Sequence, residues 1–169
     1  MPICLDDNAD GIFYELPWGL RESVNPSVLP GPPAKFHVVA PSIVKPGERF
    51  VLRLAVTDEW LNLAGEPFSG RLRLSCTDPE AVLPHEARLS AGDRNRKELT
   101  LVLRTPGVHY IAVEGEGGLK GESNPILVSA DFPYRLYWGD IHGHTELSDG
   151  MLAPDEYFRY GRDVALLDF

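Results

Sequence analysis

The sequence predicts a mainly β fold: an immunoglobulin-like β-sandwich over residues 34–130, followed by one β-α unit over 131–169. Three observations lead to it. Short segments between residues 35 and 129 alternate apolar and polar side chains, as half-buried strands do. Turns rich in proline and glycine separate these segments at the spacing of a small sandwich. After residue 153, apolar residues recur every three to four positions, which indicates a helix.

The first 33 residues predict an irregular arm that ends in a linker. Regular structure is interrupted by a series of prolines: Pro2, Pro17, Pro26, Pro30, Pro32 and Pro33. The segment Leu29–Pro33 is expected to be a stiff linker, because proline restricts the backbone. Between Ile12 and Trp18 there are too many apolar residues for a free tail, so we expect part of the arm to lie on a neighbouring domain.

The predicted strands of the sandwich lie between Lys35 and Ser129. The clearest alternations predict these core-facing sets: Phe50, Leu52, Leu54 and Val56; Leu72, Leu74 and Cys76; Leu99, Leu101 and Leu103. Further strands are predicted at Lys35–Ala40, Ala81–Leu83, Val108–Glu114 and Pro125–Ser129, and Gly115–Gly121 predicts a hairpin tip. A domain of this length can bury a core large enough to fold alone.

The segment Tyr137–Gly150, YWGDIHGHTELSDG, contains the candidate site. Its lead-in, Arg135–Trp138, predicts a strand, whose side chains alternate between two faces. Asp140, His142 and His144 then share one face, where two imidazoles can converge on one cation. Imidazole and carboxylate together suit zinc, manganese or iron. Asp149 follows in a Ser-Asp-Gly turn and can fold back as a further ligand.

A bare His-x-His pair is more often solvated than metal-binding, but the whole pattern is far more restrictive. It continues through Pro154-Asp155-Glu156-Tyr157 into a predicted helix over Pro154–Asp168. Pro154 suits the first helical position, and acidic residues favour the N-terminal end. The apolar helix face is predicted to pack on the strand that carries the histidines. Because little else is present to cover this unit, we expect it to lie on the sandwich or on another chain.

These motifs resemble the first motif of the PHP (polymerase and histidinol phosphatase) superfamily. They are most similar to an uncharacterised bacterial family in which a β-rich segment precedes a PHP-like barrel. The resemblance is strong over about the last forty residues. It implies a metal-dependent hydrolase of phosphate esters or related bonds, with His142 and His144 as ligands and Asp149 as a further ligand. Asp140 is implied to be a ligand, or to hold an imidazole in its tautomer.

The resemblance also implies that further ligands come from later barrel strands, which this sequence does not contain. We therefore expect the 169-residue chain to be the N-terminal portion of such a hydrolase, ending in the first β-α unit of a truncated PHP-like (β/α) barrel. We also expect it to hold its metal weakly and to be inactive alone. The substrate of the parent protein would be a small phosphorylated or similarly hydrolysable molecule. The alternative is that the sandwich itself is a binding or interaction module with a vestigial metal motif.

Composition restricts the other partners. The net charge of −9 argues against binding to nucleic acid or to anionic membranes. The sequence has neither a membrane-spanning apolar stretch nor the basic and apolar regions of a secretory signal, so we expect a cytoplasmic protein. Cys4 and Cys76 have no metal-site spacing and form no disulfide framework. Self-association through an exposed C-terminal helix is a further expectation.

Overall fold

The computed structural model describes residues 4–5, 14–15, 29–150 and 153–168. Within them the fold is mainly β, with twelve strands and one α-helix, α1, which runs from Pro154 to Asp163. The strands are Cys4–Leu5 (β1), Tyr14–Glu15 (β2), Lys35–Val39 (β3), Ile43–Val44 (β4), Arg49–Thr57 (β5), Gly70–Cys76 (β6), Ala87–Leu89 (β7), Arg96–Val102 (β8), Gly107–His109 (β9), Ile111–Gly115 (β10), Lys120–Glu122 (β11) and Ile126–Val128 (β12).

Three sheets enclose the core. The first has the antiparallel order β3-β5-β8, and the second has the antiparallel order β11-β10-β6-β7. In the third, β4-β12-β9, β4 runs parallel to β12. Buried side chains from all three sheets form one apolar cluster. The short strands β1 and β2 pair with each other.

The alternation in the long strands determines which face is buried. In β5, Phe50, Leu52, Leu54 and Val56 are buried, which confirms the predicted face. Leu101 in β8 is 1% exposed, so the predicted face of that strand is also correct. The inward face of β6 packs against the same cluster, with Leu72 buried and both Leu74 and Cys76 partly buried. These faces supply the apolar burial that stabilises the sheets.

The predicted strand over Val108–Glu114 is divided in two. The chain changes sheet at Tyr110, so that β9 pairs with β12 while β10 pairs with β6 and β11. Ala81–Leu83 is not a strand, although Val82 exchanges two backbone hydrogen bonds with Val102 at 2.8 and 3.2 Å. The short strands β4, β7 and β11 were not predicted, because two or three residues are too few to show a period.

The predicted strand over Arg135–Trp138 is wrong. Residues 131–150, all of which the structure describes, contain no strand. A strand needs a neighbour to satisfy its backbone groups, and side chains hold this stretch instead. Arg135 pairs with Glu48 at 2.9 Å, and the indole N–H of Trp138 donates to the Ser42 hydroxyl at 2.8 Å. The candidate site is therefore not built on the face of a strand.

The helix begins where the sequence predicts and ends earlier. Pro154 is the first helical residue, and the helix stops at Asp163 instead of Asp168. Leu166 has a φ of +57°, which turns the chain out of the helical path. No helix in the described residues is long and apolar enough to cross a membrane.

The predicted arm over residues 1–33 lies largely outside the described residues. Its linker is held against the loop that follows β5. The backbone N–H of Gly31 donates to Asp58 at 2.9 Å, and that of Gly65 donates to the Gly31 carbonyl at 3.0 Å. Position 65 requires glycine, because a Cβ there would lie only 2.9 Å from the Pro30 carbonyl oxygen.

Candidate metal centre

The segment that carries the candidate site is docked on the outer face of the β3-β5-β8 sheet. One row of this face consists of His37, Ala55 and Arg96, which are neighbours in register. The His37 imidazole Nε2 lies 3.3 Å from the Ala165 carbonyl oxygen, and Arg96 forms an ion pair with Asp163. Ala55 between them is fully buried although it is on the outer face. The end of α1 therefore covers this row, as expected for a helix that must find cover on the sheets.

Leu167 and Asp168, which follow the helix, are also bound to the sheet. Arg53 donates to the Leu167 carbonyl at 3.0 Å and to the Asp168 carboxylate at 2.6 Å. The same carboxylate accepts the backbone N–H of Trp138 at 2.9 Å, and the Asp168 N–H donates to the Trp138 carbonyl at 2.7 Å. Both ends of the segment from Trp138 to Asp168 are thereby joined to each other and to β5.

Between these ends, the two motif histidines face each other. The Nε2 atoms of His142 and His144 are 3.0 Å apart, with ring centroids 4.9 Å apart. Two imidazoles that bind one zinc ion through bonds of about 2.0–2.1 Å at a tetrahedral angle hold their nitrogens about 3.3 Å apart, close to the separation seen here. The donor type and the separation of this pair therefore both fit a shared divalent cation.

Asp149 lies behind His144. Its carboxylate contacts Nδ1 of that imidazole at 2.5 Å, and the Ser148 hydroxyl is 3.2 Å from the same nitrogen. A carboxylate at Nδ1 favours the tautomer that carries its proton there, which leaves the Nε2 lone pair directed at His142. In this arrangement Asp149 orients an imidazole, and its predicted role as a ligand in its own right stays a prediction.

Asp140 has two hydrogen-bond donors. It accepts the backbone N–H of His142 at 3.1 Å and the hydroxyl of Tyr157 at 3.1 Å. These bonds, the one from His142 first, hold the pKa of the Asp140 carboxyl below its usual range. Burial, followed by the bond to Asp140, raises the pKa of Tyr157 above its usual value. Asp140 is therefore kept as an anion beside the first histidine.

The four predicted ligands are only partly assembled. Across residues 29–150 and 153–168, no group of three or more His, Cys, Asp or Glu side chains is close enough to hold a metal ion. The structure brings the imidazoles of His142 and His144 together, while Asp140 and Asp149 each contact a histidine from outside the pair. The arrangement is thus a close pair of imidazoles, with one carboxylate in contact with each of the two histidines.

The two motif glycines allow close backbone approach. A Cβ on Gly143 would collide with the phenol of Tyr157, and a Cβ on Gly150 would collide with the carbonyl of His144. The second approach closes the turn in which Gly150 donates its N–H to the Thr145 carbonyl at 3.0 Å. That turn returns Asp149 to His144.

A groove of about 750 Å³ runs beside α1 and reaches the candidate site. Asp140 and Tyr157 line it at the site, and Arg159 and Arg162 line it along the helix. The sequence pattern includes Tyr157 only as part of the motif that continues into the helix, and it gives no role to Asp168. The contacts of both residues join parts of the chain that are far apart in sequence, so no local pattern shows them.

The remaining histidines and Cys76 belong to other parts of the described structure. His109 is buried between the Thr105 carbonyl, at 2.7 Å, and the Thr77 hydroxyl, at 3.3 Å. His85 is exposed. Cys76 is a free thiol whose pKa is raised by burial.

No protein-family model matches the chain, and no curated protein sequence matches it. The resemblance to PHP-like proteins therefore stays a prediction from the motif between Tyr137 and Tyr157.

Proposed function

We propose that this chain is the N-terminal portion of a metal-dependent hydrolase of the PHP type and carries its first metal-binding motif. One observation supports this above the others: the 3.0 Å separation of the His142 and His144 Nε2 atoms. Two imidazole nitrogens lie this close either because one donates an N–H···N hydrogen bond to the other or because both bind the same cation. The carboxylate at Nδ1 of His144 favours the second, because carboxylate–histidine pairs are typical of metal ligands.

Several residues of this chain would have separate roles at the site. His142 and His144 would hold zinc, manganese or iron through Nε2, and Asp149 would keep His144 in the required tautomer. The bound ion would supply Lewis acidity toward a phosphoryl or carbonyl oxygen. Arg159 and Arg162 line the adjoining groove, where each is ion-paired with a carboxylate of the helix, Asp155 and Asp163 respectively. Their guanidinium groups would exchange these partners for the oxygens of a phosphorylated substrate.

The same proposal extends to the fold. The sheets between Lys35 and Val128 would form an immunoglobulin-like sandwich, and the segment that ends in α1 would be the opening unit of a PHP-like barrel. Support for the first comes from the number of short strands around one core. Support for the second comes from the motif and from the packing of Tyr157 on it.

A second candidate function is a non-catalytic binding or interaction module built on the sheets. It is favoured by the absence, among the described residues, of a third side chain close enough to complete a metal site. In that case the histidine pair would be vestigial and any partner would bind the sheet domain.

Hydrolysis of bis(p-nitrophenyl) phosphate with added Mn²⁺ or Zn²⁺ tests the first function. With purified chain we expect a trace of metal-dependent turnover at most, because two imidazoles leave most coordination positions without protein ligands. Any such turnover should disappear in His142→Ala and persist in His85→Ala. Turnover that survives His142→Ala would place the chemistry elsewhere and contradict the proposal.

A further inference from the structure

We propose that Tyr157 is a positioning residue for the metal centre: it holds Asp140 and the backbone of Gly143 so that the two imidazoles converge. This inference rests on the proposed function and deepens it by naming the residue through which α1 acts on the site. Tyr157 is not itself placed as a ligand, because its hydroxyl is engaged with Asp140.

The first contact is a relay of two hydrogen bonds. The Tyr157 hydroxyl donates to one oxygen of Asp140 at 3.1 Å, and the other oxygen accepts the His142 backbone N–H at 3.1 Å. The carboxylate therefore connects the helix to the backbone of the first histidine. Without the hydroxyl, Asp140 retains one of these two bonds and can rotate about its side-chain torsions.

The second contact is steric. The phenol of Tyr157 lies so close to Gly143 that a Cβ at this position would overlap its ring and hydroxyl. Gly143 separates the two histidines in sequence, so the ring is packed on the backbone that connects them. Only glycine leaves room for such an approach. The ring thus limits the path of the His-x-His backbone, while the hydroxyl fixes Asp140.

The position of Tyr157 is itself set by the sheet. Past Tyr157, Asp163 is ion-paired with Arg96, and the Ala165 carbonyl lies 3.3 Å from the His37 imidazole. The helix is therefore anchored on β3 and β8, and Tyr157 extends from it to the motif. Tyr157 therefore connects the docking of α1 to the backbone of the two histidines.

A test without metal uses the His142 amide signal in ¹H–¹⁵N spectra of the full chain. Tyr157→Phe removes only the hydroxyl, and Tyr160→Phe is the matched control on the same helix, since no hydrogen bond of Tyr160's hydroxyl is formed within the described residues. We expect the His142 signal to move in Tyr157→Phe and to stay in place in Tyr160→Phe. An unmoved signal in Tyr157→Phe would overturn the inference.

A test with metal uses the visible spectrum of added Co²⁺. Loss of a group that supports a ligand lowers metal affinity about 10–100-fold, so Tyr157→Phe should bind cobalt at least about tenfold more weakly, with a shifted band. Tyr160→Phe should match the wild type. The double variant Tyr157→Phe/Asp140→Asn should bind no more weakly than Asp140→Asn, because the hydroxyl acts through the carboxylate.

Wild-type affinity in Tyr157→Phe, or additive losses in the double variant, would overturn the positioning role. The two tests also distinguish the inference from the function on which it rests. If the wild type binds no cobalt, the proposed metal site fails, while the His142 amide signal still decides whether Tyr157 positions this segment.

Discussion

The Arg53 guanidinium donates to the Asp168 carboxylate at 2.6 Å, across 115 residues of sequence. Both side chains are about one quarter exposed, at 25% and 27%. Asp168 also accepts the N–H of Trp138, so a single carboxylate connects the centre of β5 to the start and the end of the motif segment. The contact explains how a segment without a strand is nevertheless held in place.

Replacing Arg53 should therefore loosen the motif segment and leave the sheets intact. In Arg53→Ala we expect faster amide hydrogen exchange at Trp138 and Asp168, with unchanged protection in β6 and β10. A charge-assisted pair at this exposure contributes about 1 kcal/mol, so exchange should quicken about fivefold. The control is Arg88→Ala, on β7 of the β11-β10-β6-β7 sheet. Equal protection of Trp138 in both variants would contradict the docking role.

Replacing a core side chain by alanine should destabilise the protein more when that side chain is more deeply buried. Leu101 is 1% exposed, and its replacement by Ala should lower the free energy of unfolding by about 2–5 kcal/mol. Leu74→Ala should cost less, because Leu74 is only partly buried. Thr100→Ala, at an exposed neighbour of Leu101, should change it by less than about 0.5 kcal/mol. Denaturant titration measures all three, and an unchanged midpoint for Leu101→Ala would show that the core is wrongly placed.

Asp58 should make the fold sensitive to acid. Hydrogen bonds, first from the Gly31 backbone and then from the Asn62 side chain, lower its pKa from 3.8 to about 2. A depressed folded pKa stabilises the fold above pH 3.8, and this stabilisation is lost as the pH falls toward 2. Asp58→Asn should be less stable at pH 7 and should lose less stability on acidification. Asp131→Asn, an exposed carboxylate, is the control, and an identical pH profile for Asp58→Asn would contradict this account.

The C-terminal segment should self-associate. Phe158 is 71% exposed, and Leu147 and Ile141 are more exposed still, at 82% and 93%. Apolar surface gathered on one segment favours association with another chain. Sedimentation equilibrium should show a concentration-dependent dimer that Phe158→Glu weakens. Trp60→Glu, at an exposed aromatic residue after β5, should leave it unchanged. A wild type that remains monomeric at every concentration would contradict the expectation.

The sequence predicts the long strands well, because their side chains alternate over enough residues to show which face is buried. It does not predict the change of sheet at Tyr110, since that depends on which neighbours β9 and β10 find. The strand over Arg135–Trp138 was predicted from apolar residues alone, and no strand among the described residues pairs with it.

For the candidate site, the sequence indicates the chemistry and the structure adds the arrangement. The pattern identifies His142 and His144. The predicted strand would also have placed the Asp140 side chain on the same face as the two imidazoles. Instead a turn returns Asp149 to His144, and α1 brings Tyr157 to Asp140. Such contacts depend on the docking of α1, so they cannot be predicted from local spacing.

The central claim is that His142 and His144 bind one divalent cation together. Calorimetry with Zn²⁺ tests it on the wild type, the His142→Ala/His144→Ala variant and the control His85→Ala. We predict weak binding of one ion by the wild type and the control, weaker still at low pH because protons compete for imidazole, and none by the double variant. Indistinguishable titrations of the wild type and the double variant would contradict the claim.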